Sequence, residues 1–407
     1  MTRPSWGPIA GLVDQASLAL GSFFLLGAVG VSGSASDLGG YALVQAVLVL
    51  IIGAYRTIMG TVVLTRPIPL NRMPDLRLGS FALTASFGVL ASVITAAAAW
   101  IFTQSPLVTV GFSLWTVAVL IADNARFLSY RESRPWLVVA FSLPQLAFAV
   151  CAFLVARYLA VPWEVVILGY AVGLWLVCPL VAIFSLTQAK MRPAWLYVRS
   201  EARAQVPALG TLVLVSSGAQ LLTPYAVGVV SGLSGVGAFR TSQAVSSLGL
   251  QIPQGLQPLV LARSSEALRR TGQFDFRYLR QWSVAAIASM TIITAAILLA
   301  SDTVGGWFFG STWAAVRPAV PWMSASLLLA QLSSGMEIYF KAVGSLRSIT
   351  VNRVFTAPAS VASAAVGAAM AGAFGASVGL LVVNIVIVIL TLRLLLQELT
   401  TRKAPPR

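Results

Sequence analysis

The sequence predicts an all-α polytopic membrane protein with about twelve transmembrane helices. Hydrophobic residues make up 58% of the 407-residue chain, and the mean hydropathy is +0.86. They form apolar runs of about 20 residues, the length that crosses a bilayer core. The 27 Lys and Arg residues, against 12 Asp and Glu, lie mostly in short clusters between these runs. No polar stretch is long enough to form a separate soluble domain.

The first half of the chain holds six apolar runs. The first run is interrupted by Asp14 and Gln15 but continues to about Val31, too long for a signal-peptide core, and it predicts an uncleaved first helix. Polar or basic gaps bound the next five runs. The six predicted spans are 9–31, 39–64, 78–102, 107–128, 135–158 and 164–187.

The second half repeats this layout after a basic connection. Its predicted spans are 206–230, 238–262, 281–300, 318–340, 354–374 and 376–397. Only a few residues around Gly375 join the last two, so the sequence leaves open whether they are two full spans. The predicted organisation is an N-terminal bundle (1–187), a cytoplasmic connecting segment (188–205), a C-terminal bundle (206–397) and a cytoplasmic tail (398–407).

The basic residues predict the orientation. Of the 27 cations, 23 fall on one side, in or beside alternate gaps and at the termini, whereas the opposite side keeps only Arg157, Arg240 and Arg317. Cytoplasmic loops of membrane proteins carry this excess of positive charge, so both termini are predicted to be cytoplasmic. The positive charge therefore reports topology, and nucleic-acid binding is a poor interpretation of it. The remaining cation, Arg56, lies inside a span.

A short internal repeat relates the two halves. A shift of 198 residues aligns Gly39 with Gly237, Tyr41 with Phe239, Gln45 with Gln243 and Ala46 with Ala244. The shift corresponds to six spans, an even number, so the halves enter the membrane in the same direction. Parallel six-helix repeats of this kind are typical of secondary transporters.

The eighth span carries a polar stripe, and the second span repeats part of it. At 100° per residue, six polar residues of the eighth span fall within an arc of roughly 120°. They are Arg240, Gln243, Ser247, Gln251, Gln254 and Gln257. In the second span, Gln45 and Arg56 share a face with Tyr41. Lipid offers such groups no partners, so the stripe predicts either interhelical hydrogen bonds or, the favoured interpretation, a water-filled cavity.

Charged residues inside the spans are functional candidates because burying a charge in a membrane is costly. Arg56 is a candidate binding residue, and Asp14, Asp123 and Glu337 are candidates for ion coupling. Structural pairing is the alternative for each of them. The sequence suggests Arg56 with Asp14, Asp123 with Arg126 at i,i+3, and Glu337 with Lys341 at i,i+4.

The composition argues against an enzyme, a metal site and a bound cofactor. The chain has no His, the commonest general base and metal ligand. Both cysteines, Cys151 and Cys178, lie in apolar runs, so a disulfide framework is not expected. No Walker A phosphate loop is present, which argues against a nucleotide-driven pump.

Three segments resemble polysaccharide flippases of the multidrug/oligosaccharidyl-lipid/polysaccharide superfamily. They are DQASLALGSFFLLGAVGVSGSASDLGGYALVQAVLVLIIGAYRTIMGTVVLTRP, AFRTSQAVSSLGLQIPQGLQPLVLAR and FGSTWAAVRPAVPWMSASLLLAQLSSG. The resemblance implies two six-helix bundles forming a V around a central cavity lined by spans 1, 2, 7 and 8. It also implies an isoprenoid diphosphate-linked glycan as substrate in a bacterial plasma membrane, with the lipid tail among membrane lipids.

In this family the cavity is cationic, and Arg56 and Arg240 are the matching positions. Guanidinium groups suit a diphosphate, and Gln45, Gln243, Gln251 and Gln254 would contact the glycan. Functional coupling to glycan-assembly enzymes is left open. A drug/cation antiporter of the same superfamily is the closest alternative. A membrane glycan polymerase or ligase is disfavoured because the longest outer gap is only about 301–317, and the gap after the second span lacks the major-facilitator signature.

Overall fold

The computed structural model describes residues 7–56, 59, 73–132, 134–177, 191–271, 273–300, 302–343 and 345–403, and the elements of these ranges are all helical. The predicted all-α class is thereby confirmed. The ends of the predicted spans 39–64 and 164–187 lie outside the described residues, as do Lys190, Arg66, Arg72 and the extreme termini. The chain divides into two compact units, Met1–Pro224 with Phe308–Ser311, and Tyr225–Trp307 with Thr312–Arg407.

Six helices of the first unit match the predicted runs. They are α1 (Gly7–Ser32), α2 (Ala35–Tyr55), α3 (Met73–Thr103), α4 (Pro106–Arg131), α5 (Pro135–Leu159) and α6 (Trp163–Trp175). Local signals begin two of them: Ser34 and Asp37 form a capping box at α2, and Ser105 caps α4 ahead of Pro106. Helix α1 packs mainly on α5, while α4 packs on α3 and α6. This arrangement brings the charged side chains of α1, α2 and α4 into one interior.

The remaining helices lead into and build the second unit. They are α7 (Met191–Ser247), α8 (Gln251–Thr271), α9 (Phe276–Leu299), α10 (Asp302–Phe309), α11 (Trp313–Val316), α12 (Val320–Val343) and α13 (Leu346–Lys403). Helix α7 is interrupted at Gly232, whose φ of 73° a side chain would disfavour. That break falls in the gap predicted between the spans 206–230 and 238–262.

Helix α13 is a hairpin of two arms. Its backbone leaves the helical conformation at Ala371 and Gly372, and Gly372 has φ 56°. The Ser363 hydroxyl on the first arm donates a hydrogen bond of 2.8 Å to the Gly379 carbonyl on the second. Small residues at this contact let the two backbones approach closely. The predicted spans 354–374 and 376–397 are therefore separate helical arms.

The helices have the length and composition expected of a multi-pass membrane protein. Among the described residues, eight helical stretches are long and apolar enough to cross a membrane. Two of the eight, Leu221–Gln254 and Val351–Thr400, contain the breaks described above. Helix α12, which corresponds to the predicted span 318–340, is not among them and carries a row of polar residues, including Gln331, Ser333 and Glu337.

A turn of 3₁₀-helix (Leu248–Leu250) separates α7 from α8, where the sequence predicted one continuous span. Pro253 has no N–H, so it cannot bond the carbonyl of Gly249 four residues earlier. The Ser289 hydroxyl of α9 donates to that carbonyl instead, at 2.8 Å. The Trp282 indole, also on α9, donates to the Pro253 carbonyl at 2.8 Å. Side chains of a neighbouring helix thus satisfy the interrupted backbone.

Candidate functional site

Four charged side chains form a network inside the first unit. Arg56, at the end of α2, donates two hydrogen bonds to Asp123 of α4, from Nε to Oδ2 at 2.6 Å and from Nη2 to Oδ1 at 3.0 Å. Asp123 also pairs with Arg126, one turn further along α4. Arg126 Nη1 in turn lies 3.3 Å from Oδ1 of Asp14 on α1. We call these four residues the charge cluster. The negative charges of its two carboxylates equal the positive charges of its two guanidinium groups, so its formal net charge is zero.

The members of the charge cluster differ sharply in exposure. The side chains of Asp14, Asp123 and Arg126 are 3%, 1% and 4% exposed. The Arg56 side chain is 38% exposed, and its Nη1 makes no hydrogen bond to any residue that the structure describes. The cluster is therefore a buried ionic core with one accessible guanidinium at its edge.

Packing around Tyr55 holds Arg56 in place. The Tyr55 hydroxyl shares a buried hydrogen bond of 2.7 Å with Thr84 of α3. Its ring stacks on Phe87 of α3 and Phe127 of α4, with centroid separations of 6.0 and 6.5 Å. The end of α2 is thus fixed against both helices. The backbone that carries Arg56 is anchored, whereas its side chain reaches a partly open surface.

The structure corrects one predicted pairing and confirms another. Arg56 pairs with Asp123 rather than with Asp14, because α2 packs where its last residue reaches α4. The pair of Asp123 with Arg126 is confirmed. Arg126, counted among the cytoplasmic cations in the sequence, is a buried member of the charge cluster.

Two neighbours of the charge cluster were not singled out from the sequence. The Tyr130 hydroxyl lies beside Asp14. Asn124, the residue after Asp123, is fully buried, and neither polar atom of its side chain has a hydrogen-bond partner among the described residues. The spacing of Asp123, Arg126 and Tyr130 at i, i+3 and i+7 puts them on one face of α4, which was the available signal. Asn124 gave no such signal.

Glu337 belongs to a separate polar contact within the second unit. It accepts a hydrogen bond from Arg353 Nε at 2.9 Å, which joins α12 to α13. Further along the same two helices, Ser333 and Thr391 share a hydrogen bond of 3.1 Å. The sequence did not predict the Arg353 partner, and the side chain of its predicted partner, Lys341, lies outside the described residues.

The polar stripe is partly used for local hydrogen bonds. Arg240 Nη1 donates to Gln243 Oε1 at 2.7 Å, and Gln251 Nε2 donates to the Ser247 carbonyl at 3.1 Å. Gln257 donates to Ser334 of α12 at 3.3 Å. Gln254 is exposed, and Gln45 on α2 is half-buried.

The structure therefore brings Arg56, Asp14 and Asp123 together within the first unit, and Arg240 and Gln243 together within the second. Glu337, on α12, pairs with Arg353. Binding by these residues stays a prediction. Within the described ranges, no group of three or more His, Cys, Asp or Glu side chains could hold a metal ion.

The fold is that of a polytopic helical membrane protein, by the length and composition of its helices, and its architecture matches solved structures over nearly the whole chain. An inward-facing multidrug resistance MATE family transporter of the MOP superfamily aligns with TM-score 0.64 and 14% identity, covering 100% of this chain and 98% of that one. An outward-facing structure of a multidrug resistance MATE family transporter aligns with TM-score 0.64 and 13% identity, covering 97% of this chain and 95% of that one.

A MOP superfamily transporter from Pyrococcus furiosus aligns with TM-score 0.61 and 13% identity, covering 99% of this chain and 100% of that one. Its binding pocket is described as having reversed polarity that suggests a different function. No protein-family model matches this chain, and no curated protein does. The chain therefore shares the fold of these solved MATE family transporters.

Proposed function

We propose that the protein is a secondary transporter that moves a lipid-linked oligosaccharide across a bacterial plasma membrane by alternating access. The observation that carries this proposal is the partly exposed Arg56 at the edge of an otherwise buried charge cluster. A guanidinium with two aligned donors is the group best suited to binding a phosphate. In this proposal, Arg56 binds the diphosphate of an isoprenoid-linked glycan.

The glutamines around Arg240 support the second half of the proposal. A glycan presents many hydroxyl groups, and amide side chains can both donate to and accept from them. Gln243, Gln251 and Gln254 follow Arg240 within the α7–α8 region, and Gln45 lies on α2. In this proposal these amides bind the sugars, while the isoprenoid chain stays among the membrane lipids.

A drug/cation antiporter is the second candidate, and a specific observation favours it. The neighbours of this fold include multidrug resistance transporters, and the formal charge of the cluster is balanced rather than positive. Buried carboxylates such as Asp14 and Asp123 are also groups that can take up a proton or a cation, as Glu337 could in the second unit.

The deciding experiment is a deletion strain assayed for surface glycan and for intracellular lipid-linked precursor. The proposal expects lost surface glycan and accumulated precursor, both restored by the wild-type gene. Arg56→Ala should fail to restore them, because the phosphate-binding fork is gone. Arg157→Ala, which removes an exposed arginine at the end of α5, is the matched control and should restore them fully.

The opposite result is equally clear. Normal surface glycan in the deletion strain, together with new sensitivity to cationic drugs, would move the assignment to the antiporter. Equal expression of all variants, measured in the membrane fraction, is needed so that a failure to complement reports transport rather than folding.

A further inference from the structure

Asp123 accepts hydrogen bonds from the two nitrogens of Arg56 that a phosphate would use. Nε and Nη2 of Arg56 point to the two oxygens of one carboxylate, in the parallel geometry common to carboxylate and phosphate recognition. An anionic ligand can therefore engage this fork only by taking the place of Asp123. The remaining nitrogen, Nη1, has no hydrogen bond to the described part of the chain.

We propose that Asp123 is a specificity-determining residue, an internal counter-ion that a ligand must displace to bind the Nε and Nη2 fork of Arg56. Displacement would select phosphate and diphosphate groups over carboxylates. The inference rests on the proposed function, in which Arg56 binds the phosphates of a lipid-linked substrate. It adds the residue that decides which anions reach that arginine.

The charge cluster is built so that Asp123 can lose Arg56 without becoming an unpaired buried charge. Asp123 keeps Arg126, which lies one turn away on the same helix and is held from its other side by Asp14. Removing every partner of a buried ion is strongly unfavourable, so this second partner matters. Arg56 is the exposed member of the charge cluster, and Tyr55 anchors its backbone. Replacing Asp123 by a ligand at Arg56 therefore needs only a side-chain movement.

The exchange discriminates between anions because Asp123 is itself a carboxylate. A ligand carboxylate would form the same fork with Arg56 and gain little by replacing Asp123. A phosphate carries more negative charge and more acceptor oxygens, so it forms stronger bonds with the guanidinium. It can also reach Nη1. In this proposal, a phosphate binds Arg56 strongly enough to displace Asp123, whereas a carboxylate does not.

The test uses the full-length protein purified in detergent, with farnesyl diphosphate as probe and farnesol and farnesoic acid as uncharged and carboxylate controls. Asp123→Asn should bind farnesyl diphosphate about tenfold more tightly than wild type, because the competing charge is removed. It should also gain affinity for farnesoic acid and leave farnesol unchanged. Asp14→Asn, a matched loss of one cluster carboxylate that leaves the fork intact, should change binding less.

Each outcome has a definite meaning. A folded Asp123→Asn protein with unchanged affinity for both anions would overturn the inference. The gain should disappear when Arg56→Ala is added, and a gain that persists would also overturn it. Wild-type binding of farnesyl diphosphate that does not depend on Arg56 would instead contradict the proposed binding role of Arg56.

A measurement on the wild type covers the case in which Asp123→Asn does not fold. Infrared difference spectra on adding farnesyl diphosphate should show a shift of a carboxylate stretching band as Asp123 loses one guanidinium partner. Arg56→Ala should show no such band. Spectra without a carboxylate shift in the wild type, under conditions where the probe binds, would overturn the inference.

Discussion

At the scale of single residues, Arg126 is held from two sides. It lies between two buried carboxylates, pairing with Asp14 on one side and Asp123 on the other. Burying any of the three alone would cost several kcal/mol because each charge leaves water. They are tolerated together because each compensates another. Arg56 differs from these three in its burial, because it is partly exposed. Its partner Asp123 also has a second cation, Arg126.

This difference predicts unequal effects of two arginine substitutions. Arg126→Ala should lower the stability by about 3–5 kcal/mol, because it removes the guanidinium that pairs with Asp14 and one of the two that pair with Asp123. Arg56→Ala should cost clearly less, because Asp123 keeps Arg126. The measurement is thermal unfolding of the purified variants in detergent.

Arg317→Ala is the control for a generic loss of an ion pair. Its Nη1 contacts both carboxylate oxygens of Asp302 at the surface, where the two side chains are 42% and 67% exposed, so loss of this pair should cost about 0–1 kcal/mol. If Arg126→Ala unfolded like Arg317→Ala, the charge cluster would not be the ionic core described above. Partial recovery in Arg126→Ala combined with Asp14→Ala would support it.

At the scale of elements, the junction of α7 and α8 shows how a broken helix is stabilised from outside. Pro253 removes a backbone donor, and Ser289 on α9 supplies another to the Gly249 carbonyl. Gly249 also lies against Met290, where a side chain would not fit without movement. The break between α7 and α8 therefore packs closely against α9. The polar stripe crosses this break, so it does not continue as one straight helix face.

Ser289→Ala tests this junction. The substitution leaves the buried Gly249 carbonyl without its side-chain donor, so a loss of about 1–3 kcal/mol is expected in thermal unfolding. Ser283→Ala, on the same helix and with no side-chain hydrogen bond to the described residues, is the matched control and should have little effect. Equal effects of the two substitutions would show that the bond from Ser289 does not support the junction.

At the scale of the whole molecule, the placement of the cations predicts twelve spans with both termini in the cytoplasm. The hairpin of α13 adds a further marker of topology, because its turn at Ala371 and Gly372 should lie on the outer face. The loops between α1 and α2 and between α3 and α4 should lie on that face too.

Cysteine accessibility checks this topology in a background lacking Cys151 and Cys178. Single cysteines replacing Ser36, Ser105, Ser311 and Ala371 should react with an impermeant reagent added from outside. Cysteines replacing Met73 or Thr271 should react only after the membrane is permeabilised. Labelling of Met73→Cys or Thr271→Cys from outside would contradict the orientation, and an unreactive Ala371→Cys would argue against two complete final spans.

The sequence by itself determined the features that depend on local pattern. Runs of apolar residues located the helices, and the gaps between them placed one break near Gly232 and another around Gly375. The structure turns at Gly232 and, a few residues before Gly375, at Ala371 and Gly372; the two turn glycines have positive φ, which side chains disfavour. The i,i+3 spacing of Asp123 and Arg126 was also enough to predict their pairing, since one helix places them together.

Tertiary structure alone decided the partners that come from different helices. Arg56 and Asp123 are 67 positions apart, and Glu337 finds Arg353 across two helices. The sequence suggested Asp14 for Arg56 because both lie in neighbouring predicted spans. The packing of α1, α2 and α4 decides which carboxylate an arginine reaches and which groups are buried away from water. No local spacing in the sequence encodes that choice.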